Sequence, residues 1–444
     1  MQKRKFTVVA QLHEMNNKDL IEYVESSRGD YAKAVRETFH GIKNDIEFNK
    51  SQFNTYLQDK YGIVKRTANS IISDAQGRYN ALNELKVYEK TQLERKITYL
   101  EDKVIPKLVD ERDNNSAMLR AKLTISLVKH RNLRRKIVAK QAKLNKLKQK
   151  LATLTWQIET GNLKLCFGTK CLLQRDYDKF VAQRDSQMSF VGTKTETSGN
   201  QLFQLSYNPK NNQFYIKLRK DFGGFKTAKG DAKYVTGQVY FRHHKDKIIS
   251  ILRNGNSPLS YKIIKKNNRF YLYCTFEIQV DEDDFITRSS YGTIGLDFNK
   301  GFVTLSETNQ YGHLVRTRFL PYRFRLGTKT KTDLQELANH VVNLALTVGK
   351  DICIENLNFK VTKARTESKR GKKYNEMLHS LAYRQFVDTI ESVAYWNFVT
   401  VNRVNPAWTS WLAKKLYCPT MKLNVHVGAS YVIARRGQGY KDTI

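Results

Sequence analysis

Tyr291-Gly292-Thr293-Ile294-Gly295-Leu296-Asp297-Phe298-Asn299 is an apolar run that delivers one carboxylate at its centre. A short run of this kind reads as a buried strand, and Phe302-Val303-Thr304-Leu305-Ser306 follows as a second. Tyr311-Gly312 turns the chain into Leu314-Val315-Arg316-Thr317, a third. Farther on, Lys350-Asp351-Ile352-Cys353-Ile354-Glu355-Asn356-Leu357 is another apolar strand closing on an acid. Ligands gather at the carboxyl ends of parallel strands in an open α/β sheet, so Asp297 and Glu355 are expected to meet there. Two carboxylates suit Mg²⁺, which prefers oxygen ligands and retains waters. An acid closing a single strand is often only a salt-bridge residue, and it is the order and spacing of the two that carry the reading. Three antiparallel strands followed by this acid-tipped strand are the opening of an RNase H-type fold, the α/β class expected for 289–444.

Upstream, Asp281-Glu282-Asp283-Asp284 reads as a solvated linker, since four adjacent carboxylates cannot all face one ion. Before it, from Leu163 to about Val280, stand segments such as Gln213-Phe214-Tyr215-Ile216-Lys217-Leu218-Arg219, punctuated by Asn-Gly and Gly-Gly. These predict a β-domain, whose Tyr and Phe serve either base stacking or a β-barrel core. From about Asn17 to Thr155 the apolar positions follow a helix period, and Pro106 is the single proline. Leu133, Ile137, Leu144, Leu147, Leu151 and Leu154 form the clearest stripe, a core or coiled-coil seam. Arg131, Arg134, Arg135, Lys136, Lys140 and Lys143 lie between them, as a phosphate track or a solvated face. The first strand, Gln2 to Ala10, is led by Lys3, Arg4 and Lys5.

Lys and Arg number 77 against 42 Asp and Glu, a net charge of +35. Such an excess repels itself unless a polyanion neutralises it, so nucleic acid is the expected partner. Hydrophobic residues at 40% are enough for real cores, which excludes a disordered polycation. Cys166, Cys171, Cys274, Cys353 and Cys418 show no CxxC spacing, so no zinc ribbon or redox pair is readable, and Cys166 with Cys171 is expected to be two packed thiols. No run is long enough to span a bilayer. The expectation is a cytoplasmic protein on the bacterial nucleoid, with reduced thiols.

Four segments together resemble the landmarks of the TnpB family: Ile294-Gly295-Leu296-Asp297, Ile354-Glu355-Asn356-Leu357, Val404-Asn405-Pro406-Ala407-Trp408-Thr409-Ser410, and Ala429-Ser430-Tyr431-Val432-Ile433-Ala434-Arg435-Arg436. These are transposon-encoded RNA-guided nucleases, ancestral to the compact type V CRISPR effectors. The resemblance implies an α+β multidomain protein: a wedge β-barrel (1–16 and 159–288) interrupted by a helical recognition domain (17–158), then a RuvC-like RNase H domain (289–444). It implies guide RNA and double-stranded DNA as partners, with base pairing reading sequence and the protein reading shape. Two departures stand out. The family's CxxC…CxxC ribbon is absent, so no zinc is expected. The third catalytic Asp, which usually opens the last helix, is replaced by His426. A neutral imidazole is a poor Mg²⁺ ligand and a protonated one repels the ion, so Mg²⁺ is expected to be weak or absent.

Three readings follow. The first is a nuclease-dead, repressor-like protein that binds RNA and DNA and occupies its target, with Asp297, Glu355 and His426 a degenerate site. The second is an active Mg²⁺-dependent endonuclease, with His426 as ligand or base or with Asp442 or Asp388 recruited. The third is a transposase acting alone. Nucleic-acid contacts are also expected from the basic loop holding Lys363, Arg365, Lys369, Arg370, Lys372 and Lys373, and from Arg435 and Arg436, although cations at a helix end are common for dipole reasons alone. Trp408 and Trp411 are expected in the core rather than as stacking platforms.

Overall fold

The computed structural model describes residues 2–44, 48–120, 127–193, 196, 199–222, 233–255, 257–323, 328–357 and 370–442. They form a mixed helix-and-sheet protein that divides into two compact units, 3–278 and 279–444. No helix among the described residues is long and apolar enough to cross a membrane.

The first unit runs β1 (Gln2–Leu12), α1 (Lys18–Asn44), α2 (Lys50–Tyr61), α3 (Lys65–Tyr99), α4 (Ile105–Arg120), α5 (Leu127–Glu159), α6 (Lys170–Arg175) and α7 (Tyr177–Arg184). Then come β2 (Gln187–Phe190), β3 (Phe203–Asn208), β4 (Gln213–Arg219), β5 (Tyr234–Val239), α8 (Lys245–Asn254), β6 (Leu259–Lys266) and β7 (Arg269–Val280). Between α3 and α4 lies a π-turn, Leu100–Val104, ahead of Pro106. A proline cannot donate to the carbonyl four residues back and its ring crowds that carbonyl; just ahead of it the wider turn has the Ile105 amide donating to the Leu100 carbonyl. The stripe on α5 faces α3 and α4, with Leu133, Ile137 and Leu154 buried. It is a seam inside the chain.

The expected barrel is two hydrogen-bonded sheets, ordered β1-β7-β6-β2 and β3-β4-β5. Their inner faces follow the strand period: Phe214, Ile216 and Leu218 of β4 and Phe270, Leu272, Cys274 and Phe276 of β7 are buried. Phe203 of β3 stacks on Tyr261 of β6 with centroids 4.3 Å apart, joining the sheets. These aromatics are core, not base-stacking surfaces. Cys166 and Cys171 are exposed and free rather than packed.

The second unit is built on one sheet. Its elements are β8 (Thr293–Asn299), β9 (Phe302–Thr308), β10 (Leu314–Pro321), α9 (Thr328–Val348), β11 (Asp351–Glu355), α10 (Arg370–Trp396) and β12 (Val401–Val404). The short helices α11 (Thr409–Leu412) and α12 (Cys418–Met421) and the closing helix α13 (Val425–Gly437) follow. The strand order is β10-β9-β8-β11-β12, with β8, β9 and β10 antiparallel and β11 parallel to both β8 and β12. Alternation assigns the two faces. Ile294, Leu296, Phe298, Val303, Leu305, Ile352 and Ile354 join Leu334, Val341, Phe386 and Ile390 of α9 and α10 in one core.

The opposite face carries Thr293, Gly295, Asp297, Thr304, Ser306 and Thr308, and it receives α13. An added Cβ on Gly295 would stand 2.1 Å from the Ser430 carbonyl oxygen and 2.4 Å from the Ala434 nitrogen, so only glycine admits the helix this closely. Hydroxyls fix its register. Thr304 donates to the His426 carbonyl at 2.8 Å, Ser306 meets Ser430 at 2.7 Å, and Thr293 donates to the Ala434 carbonyl at 2.7 Å.

Candidate active site

Asp297 lies on the face of β8 turned to α13 and is almost buried. Because Ile354 pairs with Leu296 in parallel register, Glu355 comes level with Asp297 one residue later. The two carboxylates thus stand at the carboxyl ends of neighbouring parallel strands, where ligands collect.

Each is tied to particular donors. Asn299 donates its side-chain amide to Asp297 Oδ2 at 2.8 Å. It sits two residues along the same strand face. Thr409 Oγ1 donates to Glu355 Oε1 at 2.7 Å, and the Tyr383 hydroxyl donates to the Glu355 carbonyl. Burial raises the Glu355 carboxyl above its ordinary value, the Thr409 hydrogen bond pulls it back, and the Asp297 charge pushes it up again. Arg436 acts in the opposite sense, favouring the ionised form.

His426 comes from α13. Asn424 caps this helix, its side chain accepting from the His426 amide at 2.9 Å. The imidazole Nδ1 lies 3.3 Å from Asp297 Oδ2, and Phe302 packs edge-on against the ring with centroids 5.2 Å apart. An ionised carboxylate only accepts, so this contact puts a proton on Nδ1 and turns Nε2 away from Asp297. Among the described residues, no three His, Cys, Asp or Glu side chains gather closely enough to hold a metal ion. His426, Asp297 and Glu355 do not close into such a cage. As a donor set for Mg²⁺, the two carboxylates fit and the imidazole does not.

The two substitute acids have other surroundings. Asp442 accepts from Arg435 Nε at 2.9 Å and from the Tyr417 hydroxyl at 2.8 Å, beyond the far end of α13. Asp388 is an exposed residue of α10. Arg435, expected at a phosphate, donates to the Gly312 carbonyl as well as to Asp442 and lies 4.4 Å over the Tyr440 ring. Arg436 donates to the Asn405 carbonyl.

Of the other basic residues, Arg131, Arg134, Arg135, Lys136 and Lys143 are exposed on α5 and Lys140 is half-buried. Arg4 is half-buried, and Lys5 pairs with Glu277 at 3.2 Å. Lys363, Arg365 and Lys369 lie outside the described residues, as do the side chains of Lys3, Arg370, Lys372 and Lys373. The backbone of Arg370, Lys372 and Lys373 is helical rather than looped. Trp408 and Trp411 are exposed, against the expectation of core. Asn299 and Thr409 escaped sequence reasoning. The first could have been found from its two-residue spacing to Asp297, whereas nothing local marks the second.

No protein family and no curated protein matches the chain. Among solved structures it is similar to a Cas12f1–sgRNA–target DNA complex, with a TM-score of 0.24 and 10% identity over 80% of this chain and 95% of that one. A Cas12i–crRNA–dsDNA complex gives 0.39 and 10% identity over 81% of this chain and 60% of that one. A Cas12i1 R-loop complex after target cleavage gives 0.24 and 11% over 87% and 50%.

Proposed function

We propose that this chain is an RNA-guided DNA-binding protein of the TnpB kind, whose RuvC-like site has lost a metal ligand and which acts by occupying its target. Guide RNA and double-stranded DNA are the partners this reading assigns. The strand order of the second unit, three antiparallel strands continued by two parallel ones, supports an RNase H-type core. The net charge of +35 supports a polyanionic partner.

The observation that carries the reading is the 3.3 Å contact between His426 and Asp297. In the family resembled, an acid at this point supplies the third negative ligand. Here the position offers a nitrogen whose proton faces the carboxylate it should assist. Two-metal hydrolysis needs both ions placed to activate water and steady the leaving oxygen, and two carboxylates with one imidazole hold the second ion poorly. A target that is bound and not cut becomes an obstacle to transcription.

The same contact favours a second reading, in which Asp297 orients His426 so that Nε2 takes a proton from water in an active nuclease. Plasmid cleavage with the co-purified RNA and Mg²⁺ separates the two. The expected result is binding without nicking, and nicking gained on His426→Asp. Metal-dependent cutting by the unaltered chain, abolished by Glu355→Ala, sinks the occupancy reading. Preparations that carry no RNA and have no affinity for it sink guidance altogether.

A further inference from the structure

The helical run that starts at Thr409 carries two indoles on its outer side. Trp408 is 71% exposed and Trp411 46%, and their rings meet edge to face, centroids 5.9 Å apart at 64°. Single apolar residues at a surface are ordinary, but two adjacent exposed tryptophans are not. Trp408 also has a left-handed backbone, φ 64°, which side chains other than glycine adopt at a cost and mostly near functional sites.

Between the indoles sits Thr409, buried and donating to Glu355. One residue therefore fixes the ring pair relative to Glu355. Lys414 and Lys415 follow, both exposed. Flat, accessible π-surfaces beside cations match an unstacked base and its phosphate, whereas in a duplex the base faces are already covered.

We infer that Trp408 and Trp411 form a stacking platform for single-stranded nucleic acid, holding an unpaired base on the outer side of the helical run whose Thr409 bonds Glu355, with its phosphate toward Lys414 and Lys415. This rests on reading Asp297 and Glu355 as a nucleic-acid site, and it adds which side chains hold the strand near there.

Tryptophan fluorescence tests it. Trp156 is itself exposed on α5, so the full chain is titrated in a Trp156→Phe background with oligothymidylate, with oligouridylate of equal length and with a matched DNA duplex. Both single strands, or one of them, are expected to quench the signal, and their relative affinities tell a DNA strand from an RNA one. Trp408→Ala and Trp411→Ala are each expected to weaken the preferred strand about tenfold, while Trp408→Phe retains most of the affinity and duplex binding changes less than about twofold. Unchanged strand affinity in both alanine variants, or an equal loss for duplex, overturns the platform. RNA carried through purification is measured on the same proteins. Its absence alongside intact, tryptophan-dependent strand binding refutes guidance and leaves the platform standing, and the converse result removes the platform alone.

Discussion

At the scale of the residue, the site turns on what surrounds two nearly buried carboxylates. Glu355 is held above its ordinary value chiefly by burial. The folded chain therefore keeps a proton at pH values where the unfolded chain has released it. Stability from this group is complete below the ordinary glutamate value, about 4.3, and declines as pH rises through the raised value. Glu355→Gln should abolish that decline and leave the protein more stable than its parent near neutrality, as thermal unfolding across that range would register. Asp351, raised in the same direction by burial, persists in both proteins and cancels in the comparison. Thr409→Val keeps the shape but removes the hydrogen bond to Glu355. It should cost about 1–2 kcal/mol and move the decline to higher pH, and an unaltered pH profile would show the hydroxyl to be idle. Asp297 and Glu355 were legible because an acid closing an apolar run is conspicuous. Thr409 was not, since its role depends on a chain reversal far along the sequence. The tryptophans misled because size and hydrophobicity argue for burial, while the left-handed backbone at Trp408 turns its ring outward.

At the scale of the element, β9 shows why polar alternation is ambiguous. Thr304, Ser306 and Thr308 share one face, a pattern that reads as solvent-facing. In the structure all three are buried, and they bond to backbone or side chains on and just beyond α13. The deciding information sits on another strand, where Gly295 lets the helix reach this face. Gly295→Ala forces a methyl against the Ser430 carbonyl and should cost about 1–3 kcal/mol. A lowered urea midpoint with an unchanged slope would register it, and an unchanged midpoint would mean the helix slides without loss. The π-turns follow a rule that can be read from sequence. Leu100–Val104 precedes Pro106 and Ala413–Tyr417 precedes Pro419, each just ahead of a ring that would crowd an ordinary helical turn. Length and leucine spacing made α5 legible as a helix. Which neighbours it packs on was not, because one stripe suits a seam inside or between chains.

At the scale of the molecule, charge is the property read most directly. Exposed Arg134, Arg135 and Lys136 share a turn of α5 whose apolar neighbours are tucked against α3 and α4. If the chain neutralises about six to ten phosphates, its affinity for nucleic acid should fall about 10³–10⁵-fold between about 50 and 200 mM salt. Reversing those three charges to glutamate should flatten the dependence by up to about three ions, which binding isotherms at several salt concentrations would measure. An identical slope would remove α5 from the contact surface. Composition could not give the partition of the chain. The helices from 18 to 159 and the strands around them belong to one compact unit, because β1 pairs with β7, which lies beyond the whole helical segment. Pairing over such a distance leaves no local trace in the sequence.

The main chain of His426 is clamped from both sides, its amide by Asn424 and its carbonyl by Thr304. The side chain plays no part in that grip. An aspartate written there would keep the same two backbone bonds. Histidine and aspartate codons differ by a single base, so one point mutation separates the imidazole that meets Asp297 from a third carboxylate.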